Sequence, residues 1–239
     1  EVNCANSVDA NGLLYIPSEV TQINDDAFKD CTSLISIKFQ RNSSLISIGN
    51  AAFTNTAITS IIFPSSIQTI GNNAFDGCTQ LVDVQFESIN NGNGNSKLSS
   101  ISDYLFRSTS INTITIPSSV TSIGMFAFRS CSKLVTIYFE SKSKLSSIGE
   151  QAFRSCKFVN INFPSTLKTI KDYAFDANFQ LKSITFSANS ILESLGRYSF
   201  SYTGLLSLDL PKSLLTIDDG SFMYSSKLHT VLFQSSHTL

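Results

Sequence analysis

Nine phenylalanines recur at an almost fixed interval, and that recurrence limits the folds open to the chain more than any other feature. Phe28, Phe53, Phe75, Phe106, Phe128, Phe153, Phe175, Phe200 and Phe222 are separated by 25, 22, 31, 22, 25, 22, 25 and 22 residues. Two unit lengths alternate, and one unit carries six extra residues, the difference between 31 and 25. The prolines mark the same alternation independently: Pro17, Pro64, Pro117, Pro164 and Pro211 lie 47, 53, 47 and 47 residues apart. A fixed period of roughly 20–50 residues belongs to solenoids and arrays, in which no unit buries its apolar side without its neighbours.

Each unit reads as two halves. The first is L-x-x-I-x-F, as in Leu34 to Phe39, Leu81 to Phe86, Leu134 to Phe139 and Leu181 to Phe186. Ile37 and Phe39 alternate with Ser36 and Lys38, the period-2 pattern of a half-buried strand. One strand per coil, stacked at roughly 4.8 Å, predicts a continuous parallel sheet about 45 Å long over about ten coils. The second half is L-x-x-I-G-x-x-A-F-x-x-C, as in Leu145 to Cys156, and it turns the chain back along the opposite, convex side. Gly49, Gly71, Gly124, Gly149 and Gly196 precede the closing Phe by four residues, where either a positive φ or a close backbone approach would call for glycine. The alanine before the Phe suits a tight helical or 3₁₀ turn. The fold class is therefore a repeat solenoid of leucine-rich-repeat type. It is a right-handed α/β superhelix with a parallel β-sheet on the concave face and short strands, turns and 3₁₀ or helical turns on the convex side. Residues 1–239 read as a single domain of about nine complete repeats of 22–25 residues plus a partial C-terminal repeat, with an insertion at 88–93. The last strand, Leu228 to Phe233, is followed by too little sequence to complete its coil, which predicts a piece of a longer protein and an exposed apolar edge.

These residues resemble the BspA-like leucine-rich repeats, surface proteins of bacteria and mucosal protozoa. Ile116 to Gly124 and Ala127 to Cys131 carry the resemblance most closely, and it covers Leu13 to Leu239. The resemblance implies a secreted or cell-surface protein that adheres to host or matrix proteins, with no catalytic residues to carry over.

Composition closes off several other classes. Seventeen basic and eighteen acidic residues leave a net charge of −1, so no field of one sign would draw the chain to nucleic acid or an anionic membrane. No apolar run reaches about 18 residues, so this segment has no membrane insertion. Only His229 and His237 are present, and the many Ser and Asp fill repeating slots, which gives no triad an orienting acid or a cleft. No G-x-x-x-x-G-K loop and no C-x₂₋₄-C pair occurs, so neither nucleotide nor zinc is expected. The reading is no enzyme, no cofactor and no metal. Cys31, Cys78, Cys131 and Cys156 share one slot with Thr56, Thr109, Asn178, Thr203 and Ser225, a place for something small and mildly polar. At least three of these four ladder cysteines are expected to be free and shielded. Cys131 and Cys156 fall in adjacent coils within bridging range, and Cys4, outside the ladder, could pin the N-terminal edge to Cys31.

Binding candidates come from the outward strand positions. One column, from Leu13 through Asn160 to Thr230, is mostly small and polar. The next supplies the concave-face candidates Tyr15, Lys38, Ile62, Gln85, Tyr138, Asn162 and Asp209, where larger side chains interrupt a solvated strand. Asn91 and Asn93, in the Asn-Gly-Asn-Gly turn of the insertion, are the loop candidates. Asn42-Ser43-Ser44 is the one glycosylation sequon. The leading expectation is a non-catalytic, extracellular or cell-surface module. Its partner would be a protein, with host extracellular proteins among the candidates. A structural coat built by end-to-end pairing and an intracellular scaffold remain alternatives.

Overall fold

The computed structural model describes residues 4–87 and 96–234. The insertion at 88–93 with Asn91 and Asn93, His237, and the chain end at Leu239 lie outside the described residues. The chain winds as a parallel β-solenoid of about nine turns. Ten four-residue strands line one face: β1 (Leu13–Ile16), β2 (Ser36–Phe39), β3 (Ser60–Phe63), β4 (Asp83–Phe86), β5 (Thr113–Ile116), β6 (Thr136–Phe139), β7 (Asn160–Phe163), β8 (Ser183–Phe186), β9 (Ser207–Leu210) and β10 (Thr230–Phe233). Two-residue strands, such as Ser122–Ile123 and Ser147–Ile148, form a narrower ladder elsewhere on the coil. Turns complete the return segment, and the single helix among the described residues is α1 (Cys4–Ser7).

The phenylalanine spine is continuous. From Phe28 to Phe222 every closing ring stacks on the next at centroid separations of 5.1 to 5.9 Å. Offset stacking at this distance suits the ring quadrupole, and each ring fully removed from water contributes about 1.5–3 kcal/mol. Ile and Leu from the strands pack on both sides, so the buried cluster runs without interruption from Leu14 to Leu210.

The turn that presents each Phe is made differently from the expectation. Residues two before and two after it are left-handed throughout, for example Phe126 (φ 58°) and Ser130 (φ 62°) around Phe128. The N–H groups of Phe126, Phe128 and Ser130 all donate to the following coil, to Glu150 O (2.9 Å), Ala152 O (2.7 Å) and Arg154 O (2.9 Å). Positive φ at the two positions flanking each Phe thus lets the N–H groups of alternate residues point the same way and extends the inter-coil hydrogen bonding through the turn, which offsets the cost of that conformation. Of the two reasons offered for the recurring glycine, close approach is the one that holds. A Cβ on Gly149 would lie 2.6 Å from the carbonyl carbon of Gly124 in the coil before.

The long-strand sheet is not continuous as expected. It divides into five parallel pairs, β1–β2, β3–β4, β5–β6, β7–β8 and β9–β10, with no hydrogen-bonded register between pairs. The prolines explain the division. In four of the five pairs, the residue after the second strand donates back to the last carbonyl of the first, as Glu140 N does to Ile116 O at 3.1 Å and Gln234 N to Leu210 O at 2.9 Å. At each break the equivalent residue is Pro64, Pro117, Pro164 or Pro211, which has no N–H to donate. The strands on either side still meet at their leading ends, where Lys157 N donates to Leu134 O at 2.9 Å. A break is therefore a V that opens toward the proline.

Candidate functional site

The outward candidates all reach solvent. Tyr15, Ile62 and Tyr138 are 48%, 55% and 57% exposed, and Lys38, Gln85, Asn162 and Asp209 are exposed as well. Pairing places Tyr15 beside Lys38 and Ile62 beside Gln85. Gln85 donates to Asp83 at 2.8 Å, and Asp209 accepts from Gln234 at 3.3 Å next to Leu232, so these two are engaged within the strand face. The column is thus dispersed along the solenoid, and only part of it converges.

Convergence occurs at the break between β6 and β7. Tyr138 and Asn162 line one cleft of about 770 Å³ with Asn160, Glu140, Lys142, Pro164 and Thr166. Ile137, Phe139 and Phe163 also contribute to its lining. Glu140 accepts from Ser118 N at 2.8 Å, which holds its carboxylate toward the preceding coil. Ser183 Oγ donates to Asn160 Oδ1 at 2.6 Å, and Thr185 Oγ1 to Asn162 Oδ1 at 2.5 Å. A smaller cleft of about 310 Å³ occupies the corresponding break between β2 and β3, with Lys38, Ile62, Arg41 and Asn42 at its walls. Asn42 of the glycosylation sequon is exposed there with φ 59°.

Two sets of exposed side chains fall outside the sequence-derived candidates. Ile35, Val82, Val135, Val159 and Leu206 form a column just before the long strands, each at least 36% exposed. Phe179, Tyr202 and Tyr224 form an aromatic group on the turn side, with Tyr202 and Tyr224 stacked at 4.5 Å. The first lies at the position after the Leu of L-x-x-I-x-F, which the motif leaves open yet apolar residues fill five times. The tyrosines sit two residues after the Phe, in the left-handed slot. Reading residues by slot, and not by strand face alone, would have exposed both sets.

The cysteine slot is structural. Cys78, Cys131 and Cys156 are buried free thiols, and Cys31 is bridged to Cys4, so three of the four ladder cysteines are free as expected. Burial pushes the Cys78 and Cys131 thiols up to about 11 and Cys156 well above its ordinary value. A thiolate nucleophile is disfavoured at all three. His229 is exposed on the last strand's leading side and contacts Thr230 Oγ1 at 2.9 Å. Among the described residues no group of three or more His, Cys, Asp or Glu is placed to hold a metal ion, and no helix is long and apolar enough to cross a membrane.

Comparison with known proteins agrees with this architecture. No curated protein matches the sequence significantly. The pneumococcal vaccine antigen PcpA superposes with a TM-score of 0.60 at 21% identity, over 93% of this chain and 62% of that one. A leucine-rich repeat protein from Eubacterium ventriosum superposes with a TM-score of 0.53 at 20% identity, over 92% of this chain and 66% of that one. The chain therefore spans somewhat under two thirds of the pneumococcal protein's length. Residues 11–97 and 99–229 match the BspA type leucine rich repeat region in six copies. The chain belongs to the BspA type leucine-rich-repeat family.

Proposed function

We propose that this chain is a non-catalytic protein-binding module displayed outside the cell, an adhesin-type protein that engages host or matrix proteins. The observation that carries the reading is the long-strand face, a row of exposed Tyr, Asn, Lys and Ile side chains with a cleft of about 770 Å³ between β6 and β7. Rigid presentation lowers the ordering cost of binding, which favours recognition of a protein surface. Membership of a repeat family found on bacterial surface proteins and the Cys4–Cys31 bridge support an extracellular location, because disulfides persist where conditions are oxidising. We also infer that residues 1–239 act as one domain, on the strength of the single uninterrupted buried cluster. Coat formation by head-to-tail stacking is less favoured. The bridge between Val8 and Leu14 and the disulfide cover the first coil and would have to be displaced. The test is a biosensor screen of the purified chain against a panel of extracellular matrix and plasma proteins. Saturable binding to at least one is expected, and no binding to any would count against the proposal.

A further inference from the structure

We propose that the cleft between β6 and β7 binds an extended peptide segment of the partner, with the side-chain amides of Asn160 and Asn162 donating to two of its backbone carbonyls. This rests on the reading of the chain as a protein-binding module. Strand β7 is Asn-Ile-Asn-Phe, with asparagine at both outward positions. The other strands that end in proline carry Leu13 and Tyr15, Ser60 and Ile62, Thr113 and Thr115, or Ser207 and Asp209 at these positions. Asparagine is a poor strand former, so two in four residues work against the local structure and call for another role.

Hydrogen bonding fixes how the two amides point. Ser183 and Thr185, on the β8 side, occupy both Oδ1 atoms. A planar carboxamide held by its oxygen on that side turns its NH₂ the other way, toward β6 and the cleft. No described residue accepts from either Nδ2. The cleft thus presents two unused donors on one strand, two residues apart. That separation is roughly 6.6–6.8 Å, the repeat at which an extended peptide shows carbonyls along one side. Tyr138, across the break from Asn162, offers a half-exposed ring for an apolar or aromatic side chain of the same peptide. The β2–β3 cleft has the same origin but carries Ser60 and Ile62 in place of the amide pair and Lys38 in place of Tyr138.

The probe is a phage-displayed library of unstructured twelve-residue peptides, panned on the whole chain, with the selected peptides resynthesised and titrated. Asn160→Asp and Asn162→Asp keep an oxygen for Ser183 and Thr185 but remove the donor, and their melting temperatures report retained folding. Each should weaken the selected peptides roughly tenfold or more, the cost of about one buried hydrogen bond. Arg197→Ala, at an exposed position on the turn side away from the cleft, should leave binding unchanged. Selected peptides that bind both Asp variants as tightly as the wild type, or that depend on Arg197, would overturn the inference. So would an oligosaccharide array whose binding, instead of peptide binding, is lost in the Asp variants. If an intact extracellular protein binds and the Asp variants do not weaken it, this inference falls while the protein-binding reading stands. If neither peptide nor protein binds, both fall.

Discussion

At the scale of single residues, the slot three positions after each Phe shows what the repeat requires. Cys78, Cys131, Cys156, Asn178 and Ser225 each donate to the carbonyl of the closing Phe in an earlier coil, for instance Cys131 Sγ to Phe106 O at 3.0 Å and Ser225 Oγ to Phe200 O at 3.0 Å. The slot thus calls for a small side chain with a hydrogen to give, and not for a thiol as such. Cys131→Val should cost about 0.5–1.5 kcal/mol, because it removes one hydrogen bond to Phe106 O, which keeps those from Thr109 N (3.3 Å) and Thr109 Oγ1 (2.9 Å), whereas Cys131→Ser should stay close to wild type. Urea denaturation of the two variants would show this, and equal losses would mean that the slot is set by volume alone. The thiols also predict a pH effect. Their ionisation is pushed up from 9.0 to about 11 at Cys78 and Cys131 by burial, ahead of any hydrogen bond. The folded state therefore holds these protons more tightly than the unfolded chain. Their contribution is complete below pH 9 and is lost as pH rises through about 9 to 11. A variant with Ser at 78, 131 and 156 should lose less stability across that window, and parallel stability–pH curves would refute the assignment.

At the scale of elements, proline acts as a switch between joined and open strand pairs. Pro164 takes the position from which an amide would donate to Phe139 O, and the β6–β7 cleft opens at that end. Pro164→Ala supplies the missing N–H. The expected outcome is a slowly exchanging amide at 164 and a weaker grip on any ligand of the cleft, read by hydrogen exchange and by titration. Fast exchange at 164 would instead assign the opening to the longer connection after Phe139, which runs nine residues to Ile148 against seven from Phe163 to Ile170.

At the scale of the whole molecule, the solenoid is a one-dimensional stack whose ends matter more than its middle. The first coil is closed by α1, by Asp9 Oδ1 accepting from Asn11 N (2.8 Å) and Leu13 N (2.9 Å), and by the disulfide between Cys4 and Cys31. The bridge spans 27 residues of sequence, so on chain-entropy grounds its reduction should cost about 3–4 kcal/mol. Thermal melts with and without a reductant would measure this, and an unchanged melting temperature would show that the first coil does not limit stability. In β10, by contrast, all four residues are exposed, with Phe233 65% accessible.

Much of this architecture was legible in the residues because the repeat constrains every coil alike. The spacing of nine Phe and five Pro fixed the period, the alternation of unit lengths and the strand positions, and the mixture of Cys, Thr, Ser and Asn in one slot correctly implied free, shielded thiols. These are one-dimensional regularities, and a stack of near-identical coils turns them directly into columns. The division of the sheet was different. It depends on whether an N–H and a carbonyl from neighbouring coils meet, so the same prolines that mark the period in sequence open the clefts only in three dimensions. The tilt of Asn160 and Asn162 was likewise beyond the sequence, since it is set by hydroxyls at Ser183 and Thr185, 23 residues further on. The left-handed turns on either side of each Phe were hidden too. Gly77, Gly220, Asn55 and Asn73 tolerate that conformation by themselves, but Tyr, Ser, Ala, Gln and Phe fill most of the other positions, where inter-coil hydrogen bonds and not intrinsic preference hold φ positive.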